Sequence, residues 1–202
     1  MEQVAIDVRM AEHTGIGRYI RGLVSALSAR SSRWRYLLIG NGRTRNCFHP
    51  EMPFVAARAP IYSLGEQIAI PWLARSSDCL HVPHYNVPLA WKRKLVVTIH
   101  DLIHLHFPEY LTSPLAGSYA RFMLRKVIRR ADAIIAVSEH TKKDLIETLG
   151  ACPEKITVIH HGVDADFSAE PERTRNPQDG LGQYFLYVGL IKPHKNLGVL
   201  LE

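Results

Sequence analysis

Cysteine is scarce in this sequence, which argues against a scaffold held together by disulfides or by zinc. The 202 residues contain three cysteines, Cys47, Cys79 and Cys152, an odd number without a closely spaced pair. A disulfide framework and a four-thiolate zinc site are therefore not indicated. A reducing, cytoplasmic setting fits this usage best. The sequence also lacks internal repeats and low-complexity tracts.

Long apolar runs are lacking as well. No run approaches the ~20 apolar residues that a membrane-spanning helix needs, and no apolar signal core follows Met1. Any membrane association is therefore expected to be peripheral.

Acidic residues are outnumbered by basic ones. The formal net charge is +6 and the isoelectric point is near 9.3, which suits nucleotides, phosphates or an acidic membrane surface. Nucleic acid is not expected as a partner, since charge alone is weak support for it. The content of 47% hydrophobic and 22% charged residues is that of a globular protein with a sizeable core.

The apolar pattern alternates between strand and helix. Runs rich in β-branched residues predict strands at 4–8, 36–39, 54–57, 78–82, 95–99, 133–137 and 156–159. Helical spacing predicts helices at 16–27, 61–74, 114–130 and 139–149, with Pro71 kinking the second, Ser138 capping the last and Gly150 ending it. The runs at 95–99, 133–137 and 156–159 are typical of central strands. This order predicts an α/β fold with a Rossmann-like, doubly wound parallel sheet covered on both faces.

A linker is predicted at 165–183, where prolines and glycines stand among charges without an apolar run. Residues 1–164 then form the α/β domain. Residues 184–202 are expected to begin a second domain, with a buried strand up to Gly189 and a helix capped by Asn196. A strand and one helical turn cannot bury themselves, so the function is expected to need a larger partner domain.

Loops that follow strands are the first candidates for a site, since ligands bind beyond the carboxyl ends of parallel strands. In the first loop, Gly15 and Gly17 at a helix start let the backbone approach a phosphate or a sugar closely. A tight turn without a ligand remains an alternative. A nicotinamide cofactor is disfavoured, because Ile20 replaces the third glycine and the second strand ends in Gly40-Asn41 without an acid.

The second loop begins with His100-Asp101 after the most hydrophobic strand. A histidine there can exchange a proton with a ligand hydroxyl, and the adjacent Asp can orient a ring or a substrate. With His104 and His106 nearby, a zinc site is a rival interpretation, but the spacing matches no common zinc pattern. A purely structural His100 that bonds to the backbone is the other alternative.

Two further loops carry candidate ligands. His84 stands with a tyrosine and an asparagine in the proline-flanked stretch 81–88, which suits a sugar edge or an inert connector. Lys195 and Asn196 stand at the start of the C-terminal helix, where a cation and free backbone donors suit a diphosphate. A solvated turn is the alternative for the latter.

One predicted helix has a basic face. Arg121, Arg125 and Arg129 recur at every fourth residue in a stretch without acids. This face could rest on anionic lipid headgroups, although a solvated helix face is the more common case.

Five motifs in order resemble one family. They are T-G-I-G-R-Y in the first loop, V-T-I-H-D after a central strand, A-V-S-E-H-T-K-K-D-L at a helix start, H-G-V-D before the linker and Y-V-G-x-x-x-P-x-K-N-L after it. Together they resemble the family 4 glycosyltransferases, particularly the mannosyltransferase-like branch. The resemblance spans nearly the whole chain. It implies the GT-B architecture, in which two Rossmann-like domains face a cleft, so that this chain is the N-terminal, acceptor-side domain and the start of a truncated donor-binding domain.

The resemblance also implies a reaction and roles for residues. The reaction is a retaining transfer of a sugar from a nucleoside-diphosphate sugar to a glycan or lipid-linked acceptor, without a metal ion. GDP-mannose is the donor that the branch suggests. The implied catalytic residues are His100 and Asp101, the donor-binding residues are Gly15, Gly17, Lys195 and Asn196, and the acceptor-binding residues are Arg18, His84 and Ser138.

One departure from the family pattern concerns the donor site. Many relatives have an arginine directly after the glycine at position 189, whereas here Leu190 follows. Lys195, with Lys192 or His194, would then have to neutralise more of the diphosphate charge. We expect the fragment alone to be inactive. The alternatives are a non-catalytic sugar- or phosphate-binding domain and a basic lipid-binding module.

Overall fold

A seven-stranded parallel sheet forms the framework of the molecule. The computed structural model describes residues 2–30, 33–108, 113–163, 185–189, 191 and 195–201. The strands are β1 (Gln3–Asp7), β2 (Arg35–Gly40), β3 (Phe54–Ala56), β4 (Cys79–Val82), β5 (Lys94–Ile99), β6 (Ala133–Ala136) and β7 (Ile156–Val158). Their order is β3-β2-β1-β4-β5-β6-β7, and every neighbouring pair is parallel. The predicted α/β fold class is confirmed.

Helices connect the strands. They are α1 (Gly15–Ser28), α2 (Glu66–Leu73), α3 (Ile103–His106), α4 (Pro114–Arg130) and α5 (Glu139–Leu149), with 3-10 turns at Thr44–Cys47, Pro153–Lys155 and Leu197–Leu200. The short α3 was not predicted from the sequence. Helix α2 begins at Glu66, after turns at 61–65 in which Tyr62 has a positive φ of 66°. The predicted start at residue 61 is therefore wrong.

The ends of α4 and α5 follow local chemistry. The hydroxyl of Ser113 accepts a hydrogen bond from the Leu115 N–H, and the hydroxyl of Ser138 accepts one from the Thr141 N–H. Such bonds satisfy amide groups that have no partner inside the helix. Gly150 ends α5 at φ 67°, a conformation that glycine adopts without steric cost. The predicted cap and stop of α5 are both confirmed.

The core lies on both faces of the sheet. Side chains alternate along each strand, so Ile6 and Leu38 face α1, whereas Ala5 and Ile39 belong to the larger cluster on the opposite face. That larger cluster includes side chains from α2, α4 and α5, among them Ile70, Leu124 and Leu145. Fully buried β5 side chains such as Leu95 and Val97 explain why this strand reads as an unbroken apolar run.

Two predictions about strands are wrong. β7 lies at the edge of the described sheet beside β6, and not at its centre. Residues 185–189 form no strand, and the side chains of Phe185, Leu186 and Val188 are exposed. A strand needs a hydrogen-bonding neighbour, and the described residues provide none for this segment.

The chain divides into two units, Met1–His160 and His161–Glu202. The predicted linker at 165–183 lies outside the described residues. The boundaries at 164 and 184 stay predictions.

Candidate functional site

A cavity opens at the carboxyl ends of β1, β2 and β3. Its volume is about 1070 Å³, and it is lined by Arg9 and by residues 12–14, 41–43 and 57–62. These loops follow three neighbouring parallel strands, which is where α/β sheets bind their ligands. Sequence reasoning singled out the first of these loops and missed the other two, because they carry no recognisable motif.

The side chain of His100 is held in one orientation. It follows β5 and is half-buried, and its Nε2 lies 3.0 Å from the Pro83 carbonyl oxygen. Because a carbonyl can only accept, Nε2 carries a proton. The ring of Tyr19 meets the His100 ring edge to face, with 5.0 Å between centroids.

A buried hydroxyl connects the neighbours of His100. Thr98 is fully buried in β5, and its Oγ1 lies 2.9 Å from His81 Nε2 and 3.0 Å from the Tyr19 hydroxyl. Burial lowers the pKa of His81 to about 4, with a further lowering from His100. His81 is therefore neutral near pH 7. The threonine in V-T-I-H-D and the tyrosine in T-G-I-G-R-Y were the available sequence signals for this group.

Asp101 and the two following histidines do not converge. The exposed carboxylate of Asp101 accepts a hydrogen bond of 3.1 Å from the Ile103 N–H and so begins the turn into α3. His104 packs against Tyr85 with 5.7 Å between centroids. His106 Nε2 instead lies 2.7 Å from the Asp144 carboxylate. Across the described residues, no group of three or more His, Cys, Asp or Glu side chains could hold a metal ion.

Ser138 connects α5 to the His100 loop. Its hydroxyl accepts from the Thr141 N–H at 3.0 Å and lies 3.0 Å from Thr141 Oγ1, which donates to the His100 carbonyl oxygen at 3.1 Å. Since the Thr141 proton is used on that carbonyl, the Ser138 hydroxyl donates to Thr141. In the structure Ser138 is thus a helix cap that also supports the backbone of His100.

His84 has an unusual buried donor. Its exposure is 2%, and its Nδ1 accepts from the Asn86 N–H at 3.1 Å. Nε2 therefore carries the proton, and it has no hydrogen-bond partner among the described residues. Burial lowers the pKa of His84 to about 4, while Asp7 acts to raise it and the nearby positive charge of Arg9 acts to lower it. His100 and His13 also act to lower this pKa.

An ionic network lies beneath the cavity. The buried carboxylate of Asp7 accepts from Arg9 Nε at 2.9 Å and from Nη2 at 2.7 Å. The same Nη2 lies 2.8 Å from Glu66 Oε2, so Arg9 and Glu66 form an ion pair. The geometry of this contact is not that of a hydrogen bond, and Oε2 accepts none from the described residues. Glu66 Oε1 accepts from the Asn86 amide at 2.6 Å, and the Asn86 oxygen accepts from the Tyr119 hydroxyl. Burial acts to lower the pKa of Arg9, but Asp7 and Glu66 outweigh it and raise that pKa. No sequence motif indicates that these residues converge.

The two glycines of the first loop have different surroundings. A Cβ on Gly17 would lie 2.5 Å from the Ala11 carbonyl oxygen, so its missing side chain lets α1 pack on the preceding loop. Gly15 is exposed at the helix start with open space around it. Arg18 is exposed on the first turn of α1. The donor roles of Gly15 and Gly17 and the acceptor role of Arg18 stay predictions.

Lys195 and Asn196 belong to the second unit. Asn196 has left-handed backbone angles of φ 48° and ψ 43° and makes no side-chain cap bond, and it precedes a 3-10 turn. The predicted N-cap of an α-helix is therefore wrong. Leu190, Lys192 and His194 lie outside the described residues.

Comparison with known proteins identifies relatives of this chain. The profile of Glycosyltransferase Family 4 matches residues 13–167. The O-antigen chain mannosyltransferase RfbU of Salmonella typhimurium LT2 is 31% identical over 115 residues, which are 56% of this chain and 29% of RfbU. The serotype-specific mannosyltransferase WbdA of Escherichia coli is 30% identical over 135 residues, which are 62% of this chain and 16% of WbdA. The chain thus spans less than a third of either relative.

A solved structure has the same fold. Anabaena Alr3699/HepE, crystallised in complex with UDP-glucose, superposes with a TM-score of 0.57 at 16% identity. The alignment covers 82% of this chain and 45% of that protein. At this identity, the likeness concerns the fold alone.

Proposed function

Because the chain belongs to Glycosyltransferase Family 4, as its motifs predicted, we propose that it forms the acceptor-side part of a retaining mannosyltransferase. The enzyme moves mannose from a nucleoside-diphosphate sugar, with GDP-mannose as the first donor to test, to a glycan or lipid-linked acceptor. The two mannosyltransferase relatives support the choice of sugar. The complex of HepE with UDP-glucose supports a nucleotide-sugar donor.

The fixed orientation of His100 is the observation that carries this proposal. Its ring is held by the Pro83 carbonyl and the Tyr19 ring at the carboxyl end of β5. A ring held in this way can contact the transferred sugar and place the acceptor hydroxyl. Asp101 orders the start of this loop by holding the Ile103 N–H.

Stabilisation of the departing diphosphate is the main catalytic requirement. In a retaining transfer the barrier comes from charge separation between an oxocarbenium-like sugar and its leaving group. Gly15, with open space around it, is the backbone position that approaches the donor phosphate. Lys195 supplies a cation and Asn196 a backbone or amide donor. Arg18, His84 and Ser138 are the residues proposed to serve the acceptor.

A transfer assay tests this assignment. The assay follows radiolabelled mannose from GDP-mannose into lipid-extractable and polymeric products. It compares two proteins, the 202 residues alone and the product of the same reading frame continued past the codon for Glu202. We expect transfer with the longer product only. His100→Ala should lower turnover at least tenfold with an unchanged melting temperature, and His106→Ala is the matched control, since that side chain pairs with Asp144. An unchanged rate in His100→Ala would contradict the assignment.

Membrane contact through α4 completes the proposal. Arg121, Arg125 and Arg129 are exposed together on one face, and the half-exposed Phe122 ring lies 5.3 Å from the Lys126 ammonium. Basic residues with an aromatic ring are typical of surfaces that lie on anionic bilayers. No helix within the described ranges is long and apolar enough to cross a membrane.

Helix α2 adds apolar side chains to the same side of the sheet. Leu64 precedes the helix, and Ile68 and Trp72 lie on it at intervals of four residues, each more than half exposed. The Arg75 guanidinium lies 4.1 Å from the Trp72 ring, a pairing in which the cation can stay in the headgroup region while the indole enters the interface. Since α2 and α4 both pack on the larger core cluster, this row can contact a bilayer together with the α4 face.

Vesicle flotation tests the membrane contact. We expect binding to vesicles that contain phosphatidylglycerol and little binding to phosphatidylcholine alone. The triple variant R121Q/R125Q/R129Q should lose most of the binding, and Trp72→Ala should weaken it, while the exposed control Arg35→Gln on β2 should behave as wild type. Equal flotation of the triple variant would overturn this contact without touching the transferase assignment.

A further inference from the structure

We propose that the cavity at the ends of β1, β2 and β3 binds an anionic group of the acceptor, a phosphate or a carboxylate, through Arg43 and Arg58. This inference rests on the proposed function, since it names the class of acceptor that the enzyme takes. It concerns loops that carry no motif and to which the sequence assigns no role.

The sheet brings the two arginines to one wall of the cavity. β2 and β3 pair with Gly40 opposite Ala56, and the Ala57 N–H donates to the Gly40 carbonyl at 2.6 Å. Arg43 follows the end of β2 by three residues and Arg58 follows the end of β3 by two, and both line the cavity. Their loops therefore leave the sheet side by side.

Both guanidinium groups are available to a ligand. Each side chain is exposed, and neither lies within ion-pair distance of a carboxylate in the part of the chain that the structure describes. The guanidinium fork donates two parallel hydrogen bonds to a carboxylate or a phosphate. Two such forks on adjacent loops favour an anion over a neutral sugar.

The rest of the cavity is consistent with this charge. The positive charge of its buried Arg9 is already balanced by Asp7 and Glu66. Arg9 therefore forms part of the cavity wall and adds little net charge. Glu12 is the one carboxylate among the lining residues.

The position of the arginines assigns the anion to the acceptor and not to the donor. His100 follows β5, which is separated from β2 by β1 and β4. At ~4.8 Å between neighbouring strands, the arginine loops lie about 14 Å or more from the His100 loop along the sheet. The donor diphosphate is bonded directly to the transferred sugar, so it cannot lie so far from the reacting carbon. An anion on the acceptor that lies a few sugar units away from the reacting hydroxyl fits this distance.

Binding to the 202-residue chain tests the proposal. Amide shifts and titration calorimetry are recorded with inorganic phosphate, with glucuronate and with methyl α-mannoside as the neutral probe. We expect at least one anion to shift the resonances of residues 41–43 and 57–59, and its affinity to fall at least tenfold in R43Q/R58Q. Arg35→Gln removes an exposed arginine at the opposite end of β2 and should leave the affinity unchanged. Tighter binding of phosphate indicates a phosphate-bearing acceptor, and tighter binding of glucuronate indicates an acceptor with an acidic sugar.

Three results would overturn the anionic acceptor. They are no binding of either anion, equal binding of the neutral probe, and equal affinity in R43Q/R58Q with an unchanged melting temperature. The transfer assay separates this failure from failure of the proposed function. Transfer to an anionic acceptor at the wild-type rate in R43Q/R58Q would keep the transferase and overturn the anion site. Anion binding at these loops in a protein that never transfers mannose would instead contradict the transferase.

Discussion

Gly17 is the point where α1 approaches the loop that precedes it. The space of its missing side chain is occupied by backbone atoms, with the Ala11 carbonyl oxygen 2.5 Å and the Met10 carbonyl oxygen 3.0 Å from an ideal Cβ. Backbone atoms cannot rotate away as the end of a flexible side chain can. The second glycine of T-G-I-G-R-Y is therefore explained by packing, whatever it does toward a donor.

Substitution of Gly17 tests this packing against a glycine in the same helix. Gly17→Ala should destabilise the protein by about 1–3 kcal/mol, because the helix must shift to admit the methyl group. Gly22→Ala should stabilise it by about 0.5–1 kcal/mol, because Gly22 is exposed in the helix interior with open space around it. Urea unfolding of the two variants measures both effects. Equal free energies of unfolding would contradict the packing role.

Arg9 is the second residue whose environment decides its role. Its guanidinium is buried between two buried carboxylates, Asp7 and Glu66. Arg9→Met should cost about 3–5 kcal/mol in the free energy of unfolding, because both carboxylates would remain buried without their cation. Glu66→Gln should cost less, since Asp7 still pairs with Arg9. Chemical unfolding measures both variants, and a smaller loss in Arg9→Met than in Glu66→Gln would argue against this account.

At the scale of elements, α5 shows how a helix start supports a neighbouring loop. Ser138 holds the Thr141 N–H, and the Thr141 hydroxyl holds the His100 carbonyl. The cap of one helix therefore fixes the backbone of the residue expected to meet the substrate. Gly150 ends the same helix in a left-handed conformation, so both ends of α5 are set by local residues.

Two substitutions of Ser138 separate capping from acceptor binding. Ser138→Ala should lower the free energy of unfolding by about 1 kcal/mol, the usual cost of a lost cap, and Ser138→Asp should restore most of it. Ser113→Ala at the start of α4 is the matched control for stability, because it removes a serine cap that bonds to the Leu115 N–H, whereas Ser138 bonds to Thr141, which holds the His100 carbonyl. If Ser138 also binds the acceptor, Ser138→Asp should raise the KM for the acceptor in the transfer assay. An unchanged KM would leave Ser138 with the capping role alone.

At the scale of the whole molecule, two histidines make folding sensitive to acid. Burial lowers the pKa of both His81 and His84 from 6.5 to about 4. Between pH 6.5 and about pH 4, the unfolded chain therefore binds protons on these two rings, whereas the folded protein does not. The stability from each neutral ring is present above pH 6.5 and is lost as the pH falls toward 4, and it amounts to up to about 3 kcal/mol per ring.

Urea unfolding between pH 7 and pH 4 measures this dependence. We expect the free energy of unfolding to fall steadily with pH over that interval. His84→Gln should make the slope shallower, since one of the two buried rings is gone. A slope that is the same in wild type and His84→Gln would contradict a neutral, buried His84.

Tertiary placement also decided where sequence prediction failed. The start of α2 at Glu66 depends on that side chain reaching Arg9 and Asn86, contacts between segments far apart in the chain that no local pattern carries. β7 was predicted as central because its apolar run resembles β5. Its place at the edge is a property of the strand order.

The sequence by itself determined what depends on near neighbours along the chain. Periodicity of apolar residues set the order of strands and helices, local caps set α5, and the five motifs set the family. The tertiary structure alone decided which loops meet, because that depends on strand order and register. It placed Arg43 beside Arg58 at one cavity, buried Arg9 between two acids, and joined Tyr19, Thr98 and His81 next to His100. Contacts of this kind follow from packing, and packing involves every element of the sheet at once.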